Sequence, residues 1–374
     1  MKSSGEWLES SAIPRPLHGG NLAWASAVAN CPPAAILDFS ASINPLGLPA
    51  SAIAAIQTHL PDLCAYPDPS YLQLRSGLGQ FHGISLDWIL PGNGSAELLT
   101  WACRELAELE AVVLPTPAFG DYYRALRAFQ ATIVPCPLHL TDEQVWVSSQ
   151  PPVAPTQPMG LLLNNPHNPT GIVQSPAAIL PLLDQFELVV VDEAFMDFLL
   201  PEHQHSLIAQ VSQYPNLVVL RSLTKFYSLP GLRLGYAIAH PDRLQRWQHW
   251  RDPWSVNTLA AVVGEAVVQD TAFQHQTWDW LISAREQLFH GLATLPGLHP
   301  YPSGANFLLV RSDHSVINLQ TQLLQQHQIL IRDCLSFPEL GDRFFRVAVR
   351  TPSENQRLLA GLADVLAQLN HRSD

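Results

Sequence analysis

Lysine is almost missing from this chain of 374 residues: Lys2 and Lys225 are the two that occur, so arginine makes up the rest of the 20 basic residues. Charge of either sign is scarce, at 14% of residues, where an average globular protein has about a quarter. Acidic residues outnumber basic ones 32 to 20, a net charge of -12. That balance argues against a nucleic-acid partner, because nothing here would neutralise a run of backbone phosphates. No stretch approaches the roughly 18 uninterrupted apolar residues of a membrane span. The N-terminus MKSSGEWLESSAIPRPLHGG lacks the apolar run of a signal peptide, so a soluble, cytoplasmic protein without a membrane partner is expected. Cys31, Cys64, Cys103, Cys136 and Cys334 are odd in number and scattered. They form no C-x-x-C or Cys/His ligand spacing, which reads as reduced thiols and no metal site.

What is present is a pattern of short apolar runs. Between about residues 86 and 240, AVVLP, ATIVP, GLLLN, ELVVVDE, NLVVLRS and LGYAIAH alternate with helical patterns, the form of βαβ units and a mostly parallel sheet. The runs are apolar throughout, as strands covered on both faces should be. The fold class is therefore α/β. After Asp252 comes a long helical stretch, roughly Val256 to Leu292, broken by LPGLHPYPSG. An α+β pattern follows: strands ANFLLVR, ILIRD and FFRVAVR, a helix near Val316 to Gln326, and a last helix opening on Thr351-Pro352-Ser353-Glu354, a capping box. These patterns divide the chain into an arm with part of a small domain (1–45), a large α/β domain (46–254) and a small α+β domain (255–374). TDEQVWVSSQPPVAPTQP is the one tract expected as an exposed loop.

The internal lysine is either a chance survivor of a low-lysine composition or retained because a primary amine forms a Schiff base and a guanidinium does not. Lys225 follows the run NLVVL, and α/β folds place ligand sites at strand carboxyl ends. Ser222 and Thr224 offer hydroxyls beside it and Arg233 a fork of donors, a kit for a phosphate monoester. Upstream, P-G-N-G-S-A-E-L places Gly94, Ser95 and Ala96 at a helix start, where free N–H groups suit a phosphate; a glycine turn alone is an ordinary helix entry. Asp192 ends ELVVVD, as a cap, a salt-bridge partner, or the carboxylate that pairs with a protonated pyridine nitrogen. Asn164 to Gly171, N-N-P-H-N-P-T-G, is a turn on any reading, yet a turn does not require Asn168, whose amide suits a phenolate oxygen.

N-P-x-N-P-T-G, D-E-A-x and S-x-T-K, in this order over essentially the whole chain, resemble the fold type I pyridoxal-phosphate enzymes of the aminotransferase class I and II group. The resemblance implies pyridoxal 5'-phosphate as cofactor, a large domain with a mostly parallel sheet and a smaller α+β domain. It further implies Lys225 as the cofactor-bearing lysine, Asp192 on the pyridine nitrogen, Asn168 on the ring oxygen and Phe119 stacked on the ring. Gly94, Ser95, Ala96, Ser222, Thr224 and Arg233 would surround the phosphate. Tyr66, in Y-P-D-P, would reach the cofactor phosphate of a neighbouring subunit in a homodimer. His18-Gly19-Gly20-Asn21, D-F-S-A-S-I-N-P-L-G with Asn44, and D-E-A-F-M-D-F are similar to the L-threonine-O-3-phosphate decarboxylases of cobalamin biosynthesis, related to the histidinol-phosphate aminotransferases. Many aminotransferases have a tyrosine where this chain has Phe195, which leans toward decarboxylation and does not forbid transamination.

Both candidate substrates are small phosphorylated amino compounds, which a net charge of -12 would repel unless arginines focus the local field. Arg332 and Arg346 lie on adjacent strand patterns and read either as surface charges or, by resemblance, as contacts for substrate phosphate and acid group. His18, Gly19 and Asn44 join them as expected substrate contacts, with Arg350 a further candidate. A non-catalytic cofactor sensor is the competing class. Such proteins carry an added DNA-binding domain, and only about 45 residues precede the α/β pattern here.

Overall fold

The computed structural model describes residues 15–140, 145–146 and 158–371. Most of the expected 141–158 loop, and residues 1–14 of the arm, lie outside them. The apolar runs form one seven-stranded sheet: β1 (Ile89–Asn93), β2 (Ala111–Thr116), β3 (Ile133–Pro137), β4 (Met159–Asn164), β5 (Leu188–Asp192), β6 (Leu217–Ser222) and β7 (Leu234–Ile238). Their order across the sheet is β1-β7-β6-β5-β4-β2-β3. All neighbours are parallel except β7, which runs antiparallel to both β1 and β6. Its connection from β6 is too short for a parallel crossover, holding one helical turn, Leu223–Phe226, so the chain must double back. Val112, Leu162, Val190 and Leu220 pack on one face of the sheet, and Val113, Leu161, Val189 and Val219 on the other.

The single long helix expected near Val256–Leu292 is two, Thr258–Val268 and Thr271–Ala293, because Asp270 starts the second by accepting the Phe273 N–H at 3.0 Å. Leu298–Pro300, in the stretch expected to be only a break, is β8 of a second sheet. That sheet also holds β9 (Phe307–Ser312), β10 (Arg332–Asp333) and β11 (Phe344–Ala348), in the order β8-β9-β11-β10. The ILIRD run divides. Arg332–Asp333 joins β11, whereas Ile329–Leu330 pairs in parallel with Leu37–Asp38. The segment before residue 45 thereby packs on the second sheet. It also holds a helix the sequence did not announce, Leu22–Ala29, capped by Asn21 and packed through Trp24 and Ala25 against Leu324 and Leu330. The capping box of the last helix forms: Glu354 N–H donates to Thr351 Oγ1, and the Thr351 N–H and hydroxyl donate to the Glu354 carboxylate at 3.1 and 2.7 Å.

Candidate active site

Parallel strands bring their carboxyl ends to one edge of the sheet, and Asp192, Asn168, Lys225 and the Ser95 helix start meet there. Asp192 is the last residue of β5. Its Oδ2 accepts the Tyr122 hydroxyl at 2.8 Å and its Oδ1 the Ala194 N–H at 3.0 Å. Burial pushes this carboxyl up from its ordinary value, while Lys225 and the two hydrogen bonds pull it down. Asn164, at the end of β4, donates to the Asp192 carbonyl at 2.7 Å and accepts the Asn168 N–H at 2.6 Å, so one amide ties the proline-rich turn to the aspartate strand.

Lys225 lies in the single turn after β6. Ser222 caps that turn, its Oγ 2.7 Å from Thr224 Oγ1. The lysine nitrogen stands 5.1 Å from the centre of the Phe195 ring. Burial holds the amine below the usual lysine value; Asp192 opposes this, and Arg233 and Arg346 add to it. An amine so placed is available as a neutral nucleophile at lower pH than an ordinary lysine.

The helix Ser95–Leu106 begins beside them. Its N-cap is Gly94, at φ 75°, with no side chain satisfying the first N–H groups. A Cβ at Gly94 would lie 2.7 Å from Arg233 Nη2, and one at Gly235 would lie 2.4 Å from the Ser95 nitrogen. Glycine at both positions lets the helix start, β7 and the arginine close into a cradle of N–H and guanidinium donors, fitted to a phosphate.

Above this floor is a cavity of about 270 Å³ whose walls include His18, Gly19, Ser95, Ala96, Phe119, Tyr122, Asn168, Asp192, Phe195, Lys225, Arg332 and Arg346. Phe119 stands between His18 and Tyr122, with ring centres 5.8 and 5.6 Å away. Arg332 and Arg346 are cross-strand partners on β10 and β11. Arg346 donates to Asn168 Oδ1, and at 3.5 Å to the Ser40 carbonyl, with its guanidinium 4.8 Å from the Phe307 ring centre. Burial pulls Arg346 down to about 10. Arg332 donates to the carbonyls of Pro16 and Leu17 and to Ser336 Oγ, which hangs the segment bearing His18 over the cavity.

Gly94, Ser222, Thr224, Arg233, Tyr66, Asn44 and Arg350 are not among the cavity's walls. Arg233 lies against Gly94, and Ser222, whose Oγ contacts Thr224 Oγ1, is the cross-strand partner of Gly235, which packs on the Ser95 nitrogen. Tyr66 is 78% exposed and stacks on Trp254, ring centres 4.4 Å apart, on the outer surface. Asn44 is turned inward. Its amide donates to the Phe226 carbonyl and to Thr277 Oγ1, each at 2.8 Å, and its Oδ1 accepts the Leu46 N–H at 3.0 Å. With its side chain used internally it joins the lysine turn to the Thr271 helix and is not among the cavity's walls. Arg350 is likewise engaged, with the Asp38 carbonyl and Glu354. Sequence reasoning missed Tyr122, which stands beside Tyr123 on a helix; only the fold shows which of the two faces Asp192.

The family model for aminotransferase class I and II matches residues 34–362. The chain belongs to that family. It is 39% identical to a threonine-phosphate decarboxylase of Salmonella typhimurium, over 93% of this chain and 96% of that one. It is 33% identical to a histidinol-phosphate aminotransferase of Ralstonia nicotianae over 90% of each. Its fold matches that of a histidinol-phosphate aminotransferase from Sinorhizobium meliloti solved with pyridoxal-5'-phosphate, with a TM-score of 0.82 at 22% identity over 96% of this chain and 99% of that one. Membership brings the fold type I architecture and pyridoxal phosphate as cofactor. Among the described residues no helix is long and apolar enough to cross a membrane.

Proposed function

We propose that this enzyme decarboxylates O-phospho-L-threonine to (R)-1-amino-2-propanol O-2-phosphate in cobalamin biosynthesis. The observation that carries the proposal is the near-full-length similarity to the Salmonella decarboxylase. The site fits the cofactor: the glycine-lined cradle with Ser95, Ala96, Ser222, Thr224 and Arg233 suits its phosphate, Asp192 the ring nitrogen, Asn168 the ring oxygen, and Phe119 the ring face. Lys225 provides the covalent attachment. When bound, the cofactor supplies an electron sink for charge developing at the substrate Cα.

The chain's own residues do the rest. The Asp192 carboxylate keeps a proton on the ring nitrogen, and Tyr122 holds that carboxylate in place. Arg332 and Arg346 receive the substrate's phosphate and acid group, exchanging their present oxygen partners for anionic ones. Phe119, Phe195 and Phe337 line the cavity with apolar surface and restrict water. The bond that breaks would be the one that Arg332 and Arg346 align for delocalisation into the electron sink. If it is the bond to the carboxylate, CO2 leaves and Lys225, protonated by the ammonium of the incoming substrate, would deliver that proton to Cα. If it is the bond to hydrogen, Lys225 removes that proton and transamination follows, the reading favoured by the Ralstonia relative.

We propose further that the active form is a homodimer, as the Y-P-D-P resemblance at Tyr66 implies. In that dimer Tyr66 of each subunit would reach the other's site. Phosphorus NMR of the cofactor-loaded protein with O-phospho-L-threonine and no keto acid tests the activity. Aminopropanol phosphate is expected. Unchanged substrate, together with turnover of histidinol phosphate and 2-oxoglutarate, would make the enzyme a transaminase.

A further inference from the structure

Directly behind the floor of the site, the same strand ends carry a second set of charges. Side chains alternate along a strand, so Asp192 and Ser222 lie on one face of the sheet, with Val190 and Leu220, while Arg221 and, just past the end of β5, Glu193 lie on the other, with Val189 and Val219. There Arg221, 1% exposed, donates from Nη1 to Glu193 Oε2 at 3.0 Å and from Nη2 to Asp197 Oδ1. Glu193, fully buried, also accepts the Ser206 hydroxyl at 2.6 Å and the Leu207 N–H at 2.8 Å. The Asp197 carbonyl accepts the Trp278 indole N–H at 2.8 Å.

Two carboxylates and one guanidinium are thus held out of water where the proposed reaction does not use them. Such networks are weak devices for stability, since apolar replacements of similar volume often serve as well or better. Their place in the chain is more telling. Glu193 follows Asp192, Asp197 closes the turn that carries Phe195, and Arg221 precedes Ser222 and the Lys225 turn. The planar fork meets the two carboxylates with N–H groups fixed relative to each other; an ammonium on a flexible stem does not hold that geometry.

We propose that Glu193, Arg221 and Asp197 are positioning residues: the Arg221 fork clamps the ends of β5 and β6 so that Asp192, Phe195 and Lys225 keep their spacing across the cavity. This rests on the reading of Lys225 as the cofactor-bearing lysine.

The test uses R221K, which keeps the charge and loses the fork, and E193Q, which keeps size and loses charge, each in the full chain. With cofactor loaded, the pH midpoint of its visible absorbance should move by about one unit, a tenfold change in the equilibrium. A misplacement of this kind should lower kcat by up to about a hundredfold, with KM changed far less. Without cofactor, the pH at which Lys225 becomes reactive toward an amine-labelling reagent, read by peptide mass against Lys2, should move as well. S206A, which trims one hydrogen bond to Glu193, should give a smaller shift of the same kind and replaces either variant that fails to fold. Variants with a lowered melting temperature but unchanged midpoint, labelling profile and kcat would overturn the clamp. A parent chain that develops no visible absorbance with cofactor would defeat the Lys225 reading instead, and the labelling profiles would still decide the clamp.

Discussion

The floor and the roof of the cavity are built on different principles. The floor consists of strand ends from one hydrogen-bonded sheet. Asp192, the Asn168 turn, Lys225 and the start of the Ser95 helix are set by ladders and caps, and the donors of the phosphate cradle are largely backbone N–H groups at a helix start with no side-chain cap. The roof consists of side chains from a second sheet and an N-terminal segment. Its two arginines already donate to main-chain carbonyls, those of Pro16 and Leu17 for Arg332 and that of Ser40 for Arg346. A ligand on the floor meets a preorganised site, whereas an anion on the roof must displace existing partners, which costs part of the binding energy. The fixed half therefore suits a resident cofactor, and the exchangeable half a substrate that comes and goes.

The strongest way to break this division is Lys225→Ala. Turnover and the cofactor's visible absorbance should both be lost while the far-ultraviolet circular dichroism is unchanged. Retained absorbance together with activity would show that the floor does not do what its geometry implies. Asp192→Asn should be milder: cofactor stays bound, but a neutral partner cannot keep the ring nitrogen protonated, and the rate should fall by about a hundredfold or more. If the rate falls only a few-fold, the Tyr122–Asp192 contact is structural.

The roof should respond in affinity. Losing a charge-assisted hydrogen bond costs about 1.5–3 kcal/mol, so Arg332→Met and Arg346→Met should each raise KM for the phosphorylated substrate by about ten- to a hundredfold, with cofactor affinity nearly unchanged. Arg332→Met carries a second signature. Without its bonds to the Pro16 and Leu17 carbonyls, the segment bearing His18 should become more open to protease. Equal loss of cofactor binding in either variant would erase the distinction between floor and roof.

The floor was readable from sequence because each of its residues ends an apolar run or sits in a glycine or proline turn. Lys225 follows NLVVLRS, Asp192 closes ELVVVD, and Asn168 lies among prolines. Local pattern thus placed the residues at the edge where parallel strands end. The parts that were not readable depend on direction across long separations. Tyr122 and Tyr123 are adjacent, and which of them meets Asp192 is decided by how the Gly120–Ala128 helix sits on the sheet. Glu193, Arg221 and Asp197 look like flanking surface charges until strand alternation turns Arg221 and Glu193 to one face and the Met196–Phe198 turn brings Asp197 against them.

Asn44 shows the same limit from the other side, and it yields the smallest expected effect. It lies in a motif that resembles a substrate-binding segment, and the chain does bring Ser40, Ala41, Ser42 and Ile43 to the cavity wall. One residue further on, the backbone has turned: the Asn44 N–H donates to the Lys225 carbonyl at 3.0 Å, and its amide reaches Thr277, 233 positions away. Asn44→Ala would leave the Phe226 carbonyl and the Thr277 hydroxyl without their donor, at a cost of about 1–3 kcal/mol for each polar group left buried and unpaired. The melting temperature should fall, and KM for the phosphorylated substrate should stay within about twofold, as for a residue that never touches it. A rise in KM of tenfold at unchanged stability would return Asn44 to the substrate. The outcome expected here instead makes it a brace between the lysine turn and the Thr271 helix, on the floor's side of the division.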